Sequence, residues 1–294
     1  MVRFGLIGAG GYVAPKHMKA IKDTENDLVS ILDPNDSVGI IDRYFPNTSY
    51  FSEYERFDRH IDRLGRTGKG VDYISIASPN YLHDSHIRFA LKNGAHAICE
   101  KPLVLNPYAL HSLKELEEET GKNVYTILQL RLHPSITKLK EEVEKSIRKK
   151  HKIVLNYITP RGKWYHYSWK GNYDKSGGIA TNIGIHFFDM LLWIFGDVKN
   201  NFVEYHTDMK ASGYLELEKA NVDWNLSIDS RDLPHDEWKA FRSITIDGNE
   251  LEFSDGFTDL HTESYKNILN GNGFGIDDAK PSLELVHQIR NSKT

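Results

Sequence analysis

The first 130 residues repeat one pattern, a short apolar run followed by a stretch with apolar residues at helical spacing. Val2–Ile7 is apolar and β-prone, and Ala14–Lys22 is helical in period. Leu28–Leu32 reads as the next strand, followed by helical stretches over Ser37–Tyr44 and Glu53–Gly65. Val71–Ala77, Ala95–Cys99 and Val124–Leu130 then read as strands, separated by helices over Leu82–Asn93 and Pro107–Thr120. Strands alternating with helices of this length predict a parallel, doubly wound sheet over 1–126.

The pattern changes after a basic helical stretch at Lys138–Lys150. Ile153–Thr159, Phe202–His206, Gly213–Leu217, Val222–Ile228, Ser243–Ile246 and Glu250–Phe253 read as strands with few helices between them, and Asp247-Gly248 is a hairpin signal. This predicts an α+β domain over 127–294 with an open, largely antiparallel sheet. A helix over about 279–291 is expected to pack back on it. One helical segment interrupts the strands, at 177–189, where Asn182, His186 and Asp189 fall on one face amid apolar neighbours.

Charge and composition narrow the function. The 294 residues carry a net charge of −4, with 39% hydrophobic and 27% charged residues, which argues against nucleic acid or an anionic membrane as partner. Cys99 is the single cysteine, so neither an intramolecular disulfide nor a cysteine-rich zinc site is expected. With no signal-peptide pattern and no apolar run judged long enough to cross a bilayer, the expectation is a soluble cytoplasmic protein. His83 and His86 lack accompanying ligands at metal spacing, and neither a G-x-S-x-G turn nor a P-loop is present.

Three local features carry chemistry. Gly8-Ala9-Gly10-Gly11-Tyr12-Val13 follows the first strand and opens the first helix. In that position Gly8 permits a tight turn, Gly10 lets a pyrophosphate approach, and the helix N-terminus offers N–H groups to the anion. Val13 stands where the fingerprint has Gly or Ala. Asp33 closes the second strand at the spacing of an acid that binds the adenosine ribose, favouring NAD over NADP. Taken singly it is also an ordinary turn acid before Pro34. Glu100-Lys101-Pro102 ends the strand at Ala95–Cys99, and the proline restricts Lys101 to an extended conformation. By themselves these three residues also fit a charged strand end. In a doubly wound sheet, however, ligands bind beyond the carboxyl ends of the strands, where Ser78-Pro79-Asn80, Glu100-Lys101-Pro102, Gln129 and Arg131 lie.

Together with Ser78-Pro79-Asn80-Tyr81-Leu82-His83 and Gly177-Gly178 followed by Asn182 and His186, these motifs resemble the glucose–fructose oxidoreductase/inositol dehydrogenase (Gfo/Idh/MocA) family along essentially the whole chain. The resemblance implies a Rossmann domain paired with an open-sheet domain, often assembled through the exposed face of that sheet. It implies that Lys101 and His186 flank the hydroxyl being oxidised. Asn182 stands where the family usually has an aspartate, so it is expected to position substrate rather than titrate. Leu128 to Pro134, Arg161-Gly162-Lys163-Trp164-Tyr165, Ser168-Trp169-Lys170-Gly171 and 182–191 further resemble bacterial members that oxidise the 3-hydroxyl of a UDP-N-acetylated glucuronic acid for lipopolysaccharide.

That closer likeness implies a homotetramer using NAD. The implied cofactor-binding residues are Gly8, Gly10, Gly11, Tyr12, Val13, Asp33, Ser78, Asn80, His83, Glu100, Lys101, Gln129, Trp169 and Lys170. The implied substrate-binding residues are Arg131, Arg161, Lys163, Trp164, Tyr165, Asn182 and His186, with no metal. Arginine suits bidentate contacts to phosphate and carboxylate, and the aromatics suit stacking on sugar, uracil or nicotinamide. Lys101 fits stabilisation of an alkoxide and His186 removal of its proton, although the reverse division is equally open from sequence. The alternatives are a family member acting on another sugar or inositol, and a non-catalytic NAD-binding regulator.

Overall fold

In the computed structural model the described residues are 1–148, 150–251 and 259–292. They form two compact units, Met1–Gln129 with Thr258–Ala279, and Leu130–Phe257 with Lys280–Thr294.

The first unit holds six parallel strands: β1 (Arg3–Ile7), β2 (Asp27–Leu32), β3 (Ser49–Phe51), β4 (Tyr73–Ile76), β5 (His96–Cys99) and β6 (Val124–Thr126). Their order is β3-β2-β1-β4-β5-β6, the doubly wound arrangement that the alternation predicts. Order reverses between β2-β1 and β4-β5, so the glycine turn after β1 and the Ser78 loop after β4 lie at the switch point. Phe4, Leu6, Ile31, Ile74 and Ile98 are fully buried, as expected of strands covered on both faces. Gly8 has φ +95°, and a Cβ there would lie 2.5 Å from the Ala77 carbonyl carbon, so only glycine fits where β1 leaves the sheet.

The structure differs from the sequence expectations at several points. β3 is a three-residue strand too short to give a periodic signal. Of Ser37–Tyr44, only Ile41–Tyr44 is helical, because Asp33 and Asn35 accept from the N–H groups of Asn35 and Ser37 and hold the preceding chain in turns. The sixth strand ends at Thr126, and Gln129–Leu132 is a 3₁₀ turn, so Gln129 and Arg131 do not stand at a strand end. The helix Leu260–Leu269 was not anticipated. It belongs to the first unit, where Tyr265 is fully buried 5.8 Å from the Phe4 ring, so one cut after residue 126 leaves part of this unit out.

The second unit holds β7 (His151–Ile158), β8 (Val198–His206), β9 (Lys210–Leu217), β10 (Ala220–Ser227), β11 (Phe241–Ile246) and β12 (Asn249–Glu250), in the order β12-β11-β7-β10-β9-β8. Neighbours are antiparallel except β7 and β10, which run parallel, so the sheet is mixed although mostly antiparallel. The last part of the expected strand Glu250–Phe253 lies outside the described residues. Buried Leu155, Val222, Trp224, Leu226 and Ile244 form one sheet face. The basic helix runs Pro134–Lys145, started by its proline rather than centred on the lysines.

The helical run Tyr173–Phe195 is long and apolar enough, by length and composition, to cross a membrane, contrary to the sequence expectation. It is 78% buried within the chain, as a core helix of this unit should be. Its middle, Ala180–Gly184, is a π-turn that leads into the α-helix Ile185–Phe195. Gly184 permits it: a Cβ there would lie 2.6 Å from Leu226 and 2.8 Å from Phe188. The C-terminal helix runs Ile276–Arg290. In the part belonging to this unit, the Arg290 guanidinium lies 4.6 Å from the Tyr173 ring centroid.

Candidate active site

The candidate residues fall into two sets, one in each unit. In the first unit they gather at the carboxyl edge of the parallel sheet. The helix after the glycine turn, Ala14–Asp23, has no side-chain cap and no acid in its first turn, so its positive end is left for an anion. Tyr12 beside it is 88% exposed. Asp33 is buried and accepts the Gly10 N–H through Oδ2 at 2.7 Å and the Asn35 N–H through Oδ1 at 2.8 Å. A Cβ on Gly10 would meet that carboxylate at 3.2 Å. The candidate ribose-binding acid and the glycine turn are therefore one hydrogen-bonded structure.

The Ser78 loop and the Glu100-Lys101-Pro102 turn are stapled by His83. Its Nδ1 lies 2.7 Å from the Pro102 carbonyl and its Nε2 2.9 Å from that of Ser78. Burial lowers the His83 pKa, while the two carbonyls oppose the shift by favouring the charged ring. His86 Nδ1 lies 2.9 Å from the Ser78 hydroxyl, and burial lowers its pKa to about 4, helped by the nearby His83. Asn80 is buried in the same loop, and the Gln129 Oε1 is buried without a hydrogen-bond partner among the described residues. His83 thus serves as a brace of the loop more than as a surface for cofactor. Cys99 is fully buried, and burial raises its thiol pKa well above the usual value, which makes it a packing residue.

Glu100 is turned inward. Its Oε1 accepts from His17 Nε2 at 3.1 Å and from His261 Nε2 at 2.9 Å, and its Oε2 accepts the Lys101 N–H at 3.3 Å. Burial alone would raise its pKa, but the two imidazoles outweigh it and hold the carboxyl well below the usual range. The sequence reading did not single out His17, His261 or Tyr265. His17 sits on the apolar face of its helix, and the other two lie in a helix that local periodicity did not reveal.

In the second unit, Asn182 and His186 are half-buried along a helix whose residues from 183 to 192 are otherwise buried. Asn182 occupies the π-turn, a helical irregularity common at functional sites. Its Nδ2 donates to the Tyr165 hydroxyl at 3.0 Å, and the Arg161 guanidinium lies 6.0 Å from the Tyr165 ring centroid. Burial raises the Tyr165 pKa, partly offset by Asn182 and Arg161, so the phenol stays protonated at neutral pH. Arg161 Nε is buried with no hydrogen-bond partner among the described residues. Lys170 Nζ lies 5.7 Å from the Trp164 ring and 5.6 Å from the Trp169 ring, and burial lowers its pKa, with Arg161 adding repulsion. Lys163 is exposed on the short helix Lys163–Tyr167.

Arg131 is placed differently from a ligand clamp. It is 6% exposed and forms a two-point ion pair with Asp189, Nε to Oδ2 at 2.9 Å and Nη2 to Oδ1 at 2.7 Å. The polar stripe at 182, 186 and 189 thus divides, Asp189 holding the core while Asn182 and His186 remain accessible.

A sheet of this strand order with a glycine turn, an uncapped helix start and a strand-end acid at its switch point is the architecture of a dinucleotide-binding protein. The model of the oxidoreductase family with an NAD-binding Rossmann fold matches residues 2–127, and that of its C-terminal alpha/beta domain matches 140–224. The chain belongs to this family, Gfo/Idh/MocA.

Among solved structures, a WlbA (WbpB) dehydrogenase from Thermus thermophilus, in complex with NAD and UDP-GlcNAcA, is 49% identical, with TM-score 0.95, covering 100% of this chain and 96% of that one. A WlbA dehydrogenase from Bordetella pertussis, in complex with NADH and UDP-GlcNAcA, shares the fold at 20% identity, with TM-score 0.79 over 98% of this chain and 94% of that one. Glucose-6-phosphate 3-dehydrogenase of Bacillus subtilis is 27% identical over 203 residues, 66% of this chain and 54% of that protein. The chain spans about half the length of the curated relatives it matches.

Proposed function

We propose that this protein oxidises the 3-hydroxyl of UDP-GlcNAcA to the 3-keto sugar with NAD. The observation that carries this reading is the 49% identity, over the whole chain, to a dehydrogenase solved with NAD and UDP-GlcNAcA. NAD held in this groove would supply the hydride acceptor for oxidation of the carbinol carbon. The Ala14–Asp23 helix start receives the pyrophosphate and Asp33 the ribose, which leaves no place for a 2′-phosphate. Lys101 holds positive charge against the developing alkoxide, and His186 accepts the hydroxyl proton. Asn182 orients the sugar. The uronate and diphosphate of such a substrate are anions, and the unpartnered Arg161 Nε with the half-buried Lys170 supply donors for them.

We read the reaction as a step of lipopolysaccharide sugar synthesis in the cytoplasm, a reading that the likeness to the WlbA (WbpB) dehydrogenase supports. A homotetramer formed through the second sheet is supported by the exposed Phe202 and Tyr205 on β8.

The test is a single-turnover assay with NAD and, separately, UDP-GlcNAcA, UDP-GlcNAc, glucose 6-phosphate and myo-inositol. Reduction with UDP-GlcNAcA alone is expected. Reduction with inositol or glucose 6-phosphate in its place overturns the substrate assignment, and tight NAD binding without reduction by any of the four overturns the enzyme reading. Lys101→Met and His186→Asn are each expected to lower turnover by about 10³-fold while NAD binding stays intact.

A further inference from the structure

Glu100 is the end point of a buried hydrogen-bond chain to which the reading above gives no role. Ser75 on β4, Tyr265, His17, His261 and Glu100 are all buried. Tyr265 Oη lies 2.5 Å from Ser75 Oγ and 2.7 Å from His17 Nδ1, while His17 Nε2 and His261 Nε2 both reach the same Glu100 oxygen. An ionised carboxylate only accepts hydrogen bonds, and a neutral imidazole donates from one nitrogen. With a neutral His17, the following arrangement of protons satisfies Glu100, His17 and Tyr265. His17 and His261 donate through Nε2 to Glu100, Tyr265 donates to His17 Nδ1, and Ser75 donates to Tyr265. All the donors point toward one buried anion, whose other oxygen holds the Lys101 N–H.

We propose that His17 and His261 are positioning residues for Lys101, acting through Glu100. The inference rests on the proposed role of Lys101. The chain ties the glycine-turn helix, which carries His17, to the strand end that carries Lys101. It also recruits the helix Leu260–Leu269, which a Rossmann sheet does not need for closure. A carboxylate fixed by two imidazoles fixes in turn the peptide from which the lysine side chain departs. Without those donors, Glu100 rotates toward other partners and the ammonium loses its place over the reacting oxygen, although the dinucleotide groove keeps its glycine turn and Asp33.

The test compares His17→Leu, His261→Leu, His17→Gln and Lys101→Met, alone and combined, using NAD and UDP-GlcNAcA. His17→Leu and His261→Leu are expected to lower kcat by about tenfold to a hundredfold, with the Kd for NAD unchanged. His17→Gln, which keeps an N–H donor near the place of Nε2, is expected to regain most of that rate. In a Lys101→Met background, His17→Leu is expected to lower the residual rate no further. If Lys101→Met keeps normal turnover, the underlying reading fails. If Lys101→Met is inactive and folded His17→Leu retains wild-type kcat, or loses rate equally in both backgrounds, the positioning role alone is wrong. His17, Glu100 and His261 also present three ligand atoms within 4.8 Å of one another. A transition metal held stoichiometrically by the purified protein and lost in His17→Leu would overturn the proposal too, because both Nε2 atoms would then be lone-pair ligands rather than donors.

Discussion

The two units solve opposite electrostatic problems. In the first, nearly every polar group at the carboxyl edge of the sheet is satisfied by the protein. Asp33 holds Gly10, His83 spans two carbonyls and as a neutral ring donates to one of them, and Glu100 is held by two imidazoles. In the second, the Arg161 Nε is buried without a partner among the described residues, and Lys170 is gathered with Trp164 and Trp169 despite the cost of burial. A groove for a cofactor common to the whole family benefits from a fixed shape, because preorganisation reduces the entropy lost on binding. A surface for the proposed anionic substrate instead gains selectivity from donors that only the right ligand completes, since a wrong one leaves them desolvated and unpaired. Among the described residues the first unit has its own exceptions at this edge, the buried Thr126 Oγ1 at the end of β6 and the Gln129 Oε1, neither with a hydrogen-bond partner.

Several substitutions test that contrast, and the largest effect is expected in the fixed groove. Gly8→Ala sets a methyl group against the Ala77 peptide at a φ of +95°. It is expected to cost more than about 4 kcal/mol in denaturant unfolding and to abolish NAD binding. Wild-type stability in that variant would show that the turn is not rigid.

Next comes the buried pair of the second unit. Asp189→Leu, which strands the Arg131 charge, is expected to cost about 3–5 kcal/mol, and the added Arg131→Met to restore most of it. If the double variant stays as unstable as the single one, the pair is not the reason that Arg131 is withheld from ligand.

A pH titration of stability addresses the Ser78 loop. The His86 pKa is lowered from 6.5 to about 4 in the folded protein, so as pH falls the unfolded chain takes up the proton first. Stability is therefore complete above the unfolded value, declines between pH 6.5 and 4, and levels off below, by up to about 3 kcal/mol for this group. The lowered pKa values of His17 and His83 act in the same direction. His86→Leu is expected to flatten part of this slope in urea titrations at several pH values. An unchanged slope would remove His86 from the account.

The smallest expected effect on stability falls on the substrate side. Arg161→Ala is expected to shift unfolding by no more than about 0.5 kcal/mol while raising KM for UDP-GlcNAcA about tenfold or more. An unchanged KM accompanied by a large loss of stability would make Arg161 a structural residue and erase the contrast between the units.

The sequence by itself determined whatever depends on near neighbours. The strand–helix alternation, the glycine turn with Asp33, the Glu100-Lys101-Pro102 turn and the placing of Asn182 and His186 on one helix all follow from spacings of a few residues, where side-chain periodicity and turn chemistry act. Tertiary structure decided which charge pairs with which. Arg131 looked as available as Arg161 until Asp189, 58 residues away, claimed it, and Glu100 reaches His261 across 161 residues. It also decided that β7 and β10 pair in parallel and that the helix Leu260–Leu269 returns to the first unit. A buried charge takes whichever partner packing brings within about 3 Å, and that distance is set by the whole fold rather than by the residues beside it.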